Sequence, residues 1–263
     1  MLTKAQISTI GVFVALFLLL YFGCSTKSTE HKNLEKSRAM KFELINMDRV
    51  ISESKKSISP GARVEIQEYE QRLSNVEQDS QKVQYLKSLA SIWFSEDKPL
   101  VSGHYAEKIA SVIQDLTSWS IAGTTYSIAA QRSEDDQEKK YAIGKSRLAF
   151  ENALSLEPDN TDNKINLALT YVEVPLEDNP MKGILMLRDM NQSDPENVPV
   201  IMQLARLSLQ TGQLDKAVDR LLKVTQLRPT FKDAHCMLAE VYRRKGEMSE
   251  AEAAQEKCDN NLK

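Results

Sequence analysis

Glycine and proline are scarce in this chain of 263 residues, at 9 and 8. So few turn-forming residues argue against a turn-rich all-β fold and for a helical one. Aromatic residues make up only 6%. Cysteine and histidine number three each, which excludes a disulfide-rich scaffold. Cys24, Cys236 and Cys258 form no C-x-x-C pair, and His31, His104 and His235 are scattered. No His/Cys cluster therefore has metal-ligand spacing, which weighs against zinc hydrolysis and Cys–His catalysis. A basic excess is missing too. Residues 1–115 carry 15 basic and 14 acidic side chains, and residues 116–263 carry 19 and 23. Binding to a phosphate backbone needs a basic face, so nucleic acid is not an expected partner. Phosphate-binding loops, HExxH and GxSxG are also absent, and no cofactor is expected.

What is there is enough apolar material for a core. Hydrophobic residues make up 41% and charged residues 27%, ordinary values for a folded protein. One long apolar run exists, at residues 7–24, ISTIGVFVALFLLLYFGC. With Ala5 and Gln6 it approaches the length that crosses a hydrocarbon core. Residues 5–24 are thus expected to meet a membrane, and three readings of them stay open. One is an uncleaved single-pass anchor. The second is a lipoprotein signal that acylates Cys24, with Gly23 before it but bulky Tyr21 and Phe22 where small residues are usual. The third is a cleaved signal, although no A-x-A-like site comes after the run. Lys27, Lys32, Lys36, Arg38 and Lys41 lie just beyond the run, and the positive-inside rule would keep the downstream domain in the cytoplasm. A short tail with Lys4 ahead of an apolar run is also the form of an export signal. The balance leans to an exported, periplasmic soluble part.

Downstream, Leu34, Met40, Leu44, Met47 and Ile51 recur at helical spacing until Ser59-Pro60-Gly61. A second helical stretch carries Tyr69, Leu73 and Val76. Residues 28–82 read as an amphipathic helical linker behind the N-terminal segment, residues 1–27.

A repeat then emerges. Pro158, Pro195 and Pro229 are spaced by 37 and 34 residues. Phe150, Ala153 and Pro158 fit F-x2-A-x4-P. Gly183, Leu187, Met190 and Pro195 fit A-x3-F-x2-A-x4-P with apolar exchanges, as do Ala217, Leu221, Val224 and Pro229. Ala251, Gln255 and Cys258 begin a further copy. Ahead of each lies part of W-x2-L-G-x2-Y: Trp119, Ala122, Gly123 and Tyr126; Leu167, Ala168 and Tyr171; Leu204, Ala205 and Ser208; Leu238, Ala239 and Tyr242. Gly212 and Gly246 fall where a first helix must turn. This pattern resembles the tetratricopeptide repeat family, in four copies over residues 116–263, with a degenerate copy at 83–115. The first copy has 11 extra residues around 131–141, and the second has three near 174–180. Either the helices lengthen in the first copy or a charged loop projects.

The resemblance implies an all-α fold, a right-handed superhelix of stacked helical hairpins (an α-solenoid), preceded by one transmembrane or signal-like helix. Small residues at Gly123, Ala168, Ala205, Ala239, Ala217 and Ala251 would let paired helices approach, and neighbouring pairs would share one core. It also implies a concave groove lined by the first helices, open to another protein or peptide. Carried over by position, the groove includes Ser120, Thr124, Ile165, Leu169, Val172, Met202, Arg206, Leu209, Cys236, Glu240 and Arg243, with Asn166 beside them. Ser120 and Thr124 stand in place of the carboxylate clamp of some family members. His235 reads as a packing residue. Cys236 and Cys258 fall on the two helices of one pair and could come near each other, but separate small core residues are the favoured reading. Met181, Met186, Met190 and Met202 read as core filler. The expected function is a non-catalytic, membrane-tethered scaffold. An anchor ahead of repeats is also similar in layout to repeat proteins of cytochrome c maturation, which would make this an assembly factor for an envelope complex. An envelope lipoprotein is the further alternative.

Overall fold

A computed structural model describes residues 45–260, with side chains to residue 259. The expected membrane segment, Cys24 and the first part of the linker lie outside the described residues. Among the described residues no helix is long and apolar enough to cross a membrane. The described residues from Met47 onward belong to one compact unit.

Its described residues form twelve helices and no strand: α1 (Met47–Ser54), α2 (Pro60–Ser74), α3 (Asp79–Ser95), α4 (Pro99–Ile113), α5 (Leu116–Arg132), α6 (Asp136–Leu156), α7 (Thr161–Glu173), α8 (Lys182–Ser193), α9 (Val198–Gln210), α10 (Leu214–Leu227), α11 (Lys232–Lys245) and α12 (Met248–Asn260). From α2 onward each helix packs on its neighbours in the chain, with added contacts of α5 to α7 and α1 to α4. That is the pattern of a solenoid, in which burial is shared between successive hairpins.

Small residues set the hairpins. Ala168, Ala205, Ala239 and Ala217 are fully buried, and Ala251 nearly so. A Cβ on Gly183 would lie 2.3 Å from the Ala168 carbonyl oxygen, so α7 and α8 meet backbone to backbone there. In the two earlier hairpins the place of the second-helix alanine is taken by serine. Ser146 Oγ donates to the Gly123 carbonyl at 2.8 Å, and Ser102 Oγ to the Ala90 carbonyl at 2.8 Å. The hydroxyl fills the space of a methyl and satisfies itself on the facing helix.

Large residues at the next turn fill the space between hairpins. Trp93, Tyr126 and Tyr171 are buried. Two of them stitch backward onto the preceding hairpin: Tyr126 Oη donates to Glu107 at 2.7 Å, and Tyr171 Oη to Glu151 at 3.1 Å. Lys145 reaches the other oxygen of Glu107 at 2.9 Å. Arg147 donates to the Thr170 and Val174 carbonyls at 3.0 and 2.9 Å, closing the C-terminal end of α7, and lies 4.0 Å from the Tyr171 ring centroid.

The turns obey the same register. Gly212 and Gly246 adopt φ of 71° and 80°. Asp97 occupies the equivalent turn after α3, at φ 56°. The 11 extra residues of the first strong copy lengthen the helices. Only residues 133–135 interrupt α5 and α6, and Asp135 caps α6 by accepting from Gln137 and Glu138. The three extra residues of the second copy stay in the loop before α8.

The linker region also packs. Ile58, Ala62 and Ile66 share one buried cluster with Leu86, Leu89, Trp93 and Tyr105.

Candidate partner-binding cleft

Two first helices, α5 and α7, begin at side-chain caps. Asp115 accepts from the Ser118 N–H at 2.7 Å, and Asn160 from the Asn163 N–H at 3.0 Å. The Ser118 N–H and hydroxyl hold the Asp115 carboxyl below its usual range. Both helices then run with the same phase, and their facing residues bound a cavity of about 370 Å³. From α5 come Leu116, Thr117, Ser120, Ile121, Thr124 and Thr125, at one-turn spacing along one face. Asn160, Asp162, Asn163 and Asn166 supply the other wall.

The lining mixes hydroxyl and amide groups with the apolar surface of Leu116 and Ile121, and carries no cation. Ser120 donates its hydroxyl proton to the Leu116 carbonyl at 2.8 Å, so its oxygen faces the cleft as an acceptor. The side chains of Thr124, Asn163 and Asn166 make no hydrogen bond to any described residue. Asn163 is only 3% exposed. Among the described residues the one buried side-chain polar atom without a partner is Trp93 Nε1, so the Asn163 amide still reaches solvent through the cleft. Ile121 offers an exposed apolar rim. Such a site can pair with alternating N–H and C=O groups and shelter one small apolar side chain.

Of the residues implied by the sequence, Ser120, Thr124 and Asn166 come together in this cleft. Leu169 does not join them. It packs with Ile165, Ala168, Leu187, Val200, Leu204 and Leu207 in a core cluster. Met202 and Leu209 are likewise buried between α9, α10 and α11. Leu169, Met202 and Leu209, implied by the resemblance as groove residues, thus join consecutive hairpins instead. Arg206 is exposed on α9, and Arg243 on α11 is exposed and donates to Gln255 at 2.5 Å. Neither lines the cleft.

Cys236 and Cys258 are not separate core residues. Their sulfurs are bonded, with the Cα atoms 4.9 Å apart on α11 and α12. The repeat spacing puts the two positions on the two helices of one hairpin, and the rotation of those helices turns them to face each other. His235 is buried and its Nε2 lies 2.7 Å from the Pro229 carbonyl oxygen, which fits a packing role. Among the described residues no group of His, Cys, Asp or Glu is arranged to hold a metal ion.

Asn163 and Asp162 were not read from the sequence as site residues. The available signal was the helix start at Thr161, which puts Asp162 and Asn166 on one face and Asn163 beside them.

Residues 232–260, which cover α11 and α12, match the family model described as tetratricopeptide repeat. The chain carries a tetratricopeptide repeat. The small residues at the helix crossings of the earlier hairpins, and Gly212 in the turn before α10, keep to the tetratricopeptide pattern. The fold is therefore an all-α stack of tetratricopeptide-type hairpins. Among solved structures, the chain is similar to a crystal structure of MamA, at 13% identity over 66% of this chain and 94% of that one, with a TM-score of 0.45. It is similar to MamA AMB-1 at 21% identity over 69% and 92%, with a TM-score of 0.40. MamA from Desulfovibrio magneticus RS-1, from residue 41 to the end, is 13% identical over 68% and 93%, with a TM-score of 0.44. None of the curated proteins matches the sequence.

Proposed function

We propose that this chain is a non-catalytic scaffold, tethered to a membrane through residues 5–24, that holds an extended segment of a partner polypeptide along its first helices. The observation that supports the reading best is the α5–α7 cleft, where Ser120, Thr124, Asn163 and Asn166 gather hydroxyl and amide groups from two successive first helices. An extended chain presents the matching N–H and C=O groups. Arg206 and Arg243, both exposed, would add contacts to acidic side chains of the same partner further along. Anchoring raises the local concentration of a bound partner at the bilayer, so modest affinity suffices.

Photo-crosslinking in the cell tests the cleft. A crosslinking residue at Thr124 is expected to trap a discrete adduct that is absent when it replaces exposed Val64 or Leu222. Replacing Asn166 by Leu, or Arg206 and Arg243 by Ala, is expected to weaken that adduct. Identical adducts at all three positions, or no effect of the substitutions, would count against the reading. Tethering is tested separately. The full chain is expected to stay with membranes through alkaline extraction, and a chain lacking residues 1–27 to be released. Mass spectrometry of the mature N-terminus separates an intact anchor from an acylated Cys24.

A further inference from the structure

We propose that the Cys236–Cys258 bond is formed in the cell and holds the last helix in place, so that the repeat domain works in an oxidising compartment outside the cytoplasm. This rests on the terminal hairpin and is independent of what the cleft binds.

The last described helix needs such a bond. Helix α12 packs on α11 and on no later helix among the described residues. Its buried side chains are Ala251, Ala254 and Cys258. The preceding second helix, α10, buries Val218, Leu221 and Val224 as well as Ala217. Two alanines and a cysteine remove little apolar area from water, so packing alone holds α12 weakly. Between the side chains of α11 and α12, the described residues add one hydrogen bond, Arg243 to Gln255, and it is exposed. The sulfur bridge supplies what the packing lacks. It joins residues 22 apart in sequence, which constrains the unfolded chain.

The location argues the compartment. A pair of thiols in the cytoplasm is kept reduced by the thiol pool, whereas an exported domain meets oxidants. In closing the bond, the two thiols exchange with the disulfide of a dithiol oxidant. Cys236 and Cys258 lose two protons and two electrons, and the oxidant leaves as two thiols. An uncharged apolar segment at residues 7–24 is an independent feature of the sequence that fits delivery across a membrane.

The test uses the full chain in its own membranes. Intact cells are quenched in acid, alkylated with one maleimide, reduced, and alkylated with a heavier one before mass spectrometry. Cys236 and Cys258 are expected to carry only the second label. Both residues carrying the first label would overturn the proposal. Protease added from outside the membrane is expected to cleave the domain, and cleavage only from the cytoplasmic face would overturn the compartment. For the holding role, hydrogen exchange is measured in the purified full chain with and without reductant, and in Cys236→Ser/Cys258→Ser. Residues 248–260 are expected to exchange about tenfold faster or more in both reduced and variant protein, while 198–227 keep their protection. Unchanged exchange at 248–260 in both would overturn the holding role, and using reduction as well as substitution keeps a misfolded variant from deciding the matter.

Discussion

A single methyl group distinguishes two glycines of this chain. At Gly183 an added Cβ would meet the Ala168 carbonyl oxygen at 2.3 Å and the Val172 backbone nitrogen at 2.9 Å, neither of which can swing away. Gly183→Ala is therefore expected to cost about 2 kcal/mol in urea unfolding. At Gly61, near the start of α2, nothing lies within 4 Å of the added carbon. Gly61→Ala is expected to raise stability by about 0.5 kcal/mol, through helix propensity and a less free unfolded chain. His104 gives a dependence on pH. Burial first, then Lys108 and Lys145, push its imidazole down to about 4, against opposing pulls from Glu107 and Asp48. Its folded value lies below the unfolded one, so the unfolded chain binds the proton more readily between them. Stability is then expected to fall as pH drops from about 6.5 towards 4, by about 2 kcal/mol after allowance for partial solvent access. His104→Gln should flatten that part of a melting-temperature profile. If the profile is unchanged, His104 is not the group responsible.

At the scale of elements, hairpins are joined by repeated devices, and the devices are unevenly distributed. Tyr126 and Tyr171 each reach back to a glutamate of the preceding second helix. The equivalent place in α9 is Ser208, which accepts instead from Arg220 within its own hairpin. The α8–α9 junction therefore lacks a backward tie of this kind. It relies on contacts of Leu187 and Met190 with Val200 and Leu204, and on the Asn197 cap that starts α9. Asn197→Ala is expected to cost about 1 kcal/mol and to speed hydrogen exchange in the first turn of α9. Exchange unchanged there would mean the cap is idle. These elements were readable to different degrees. The spacing of Ala168, Ala205 and Ala239 against Ala217 and Ala251 carries the hairpin crossings directly, because small residues at fixed intervals have few other uses. Ser102 and Ser146 hid two more crossings, since a serine in a sequence does not announce that its hydroxyl will bond across to a facing backbone. The asparagines two residues after Pro158 and Pro195 are caps that the proline spacing pointed to without naming. In the cleft, Ser120, Thr124 and Asn166 came from position in the repeat. Leu169 and Met202 did not behave as groove residues, because apolar groups at those positions are drawn into the junctions between hairpins. The sulfur bridge depends on the rotation of α11 against α12, which no spacing specifies.

For the molecule as a whole, a stack built from contacts between chain neighbours has no central core whose loss unfolds everything at once. Its hairpins can be lost from an end while the others stand. Pulled by its two ends, such a stack yields its length in steps, hairpin by hairpin. The terminal hairpin is the exception, for a tug cannot draw out the 22-residue stretch between the joined sulfurs. That withholds roughly 75 Å of slack. The far end thus behaves as a knot in a rope, and tension along the chain must open other hairpins to gain the same length.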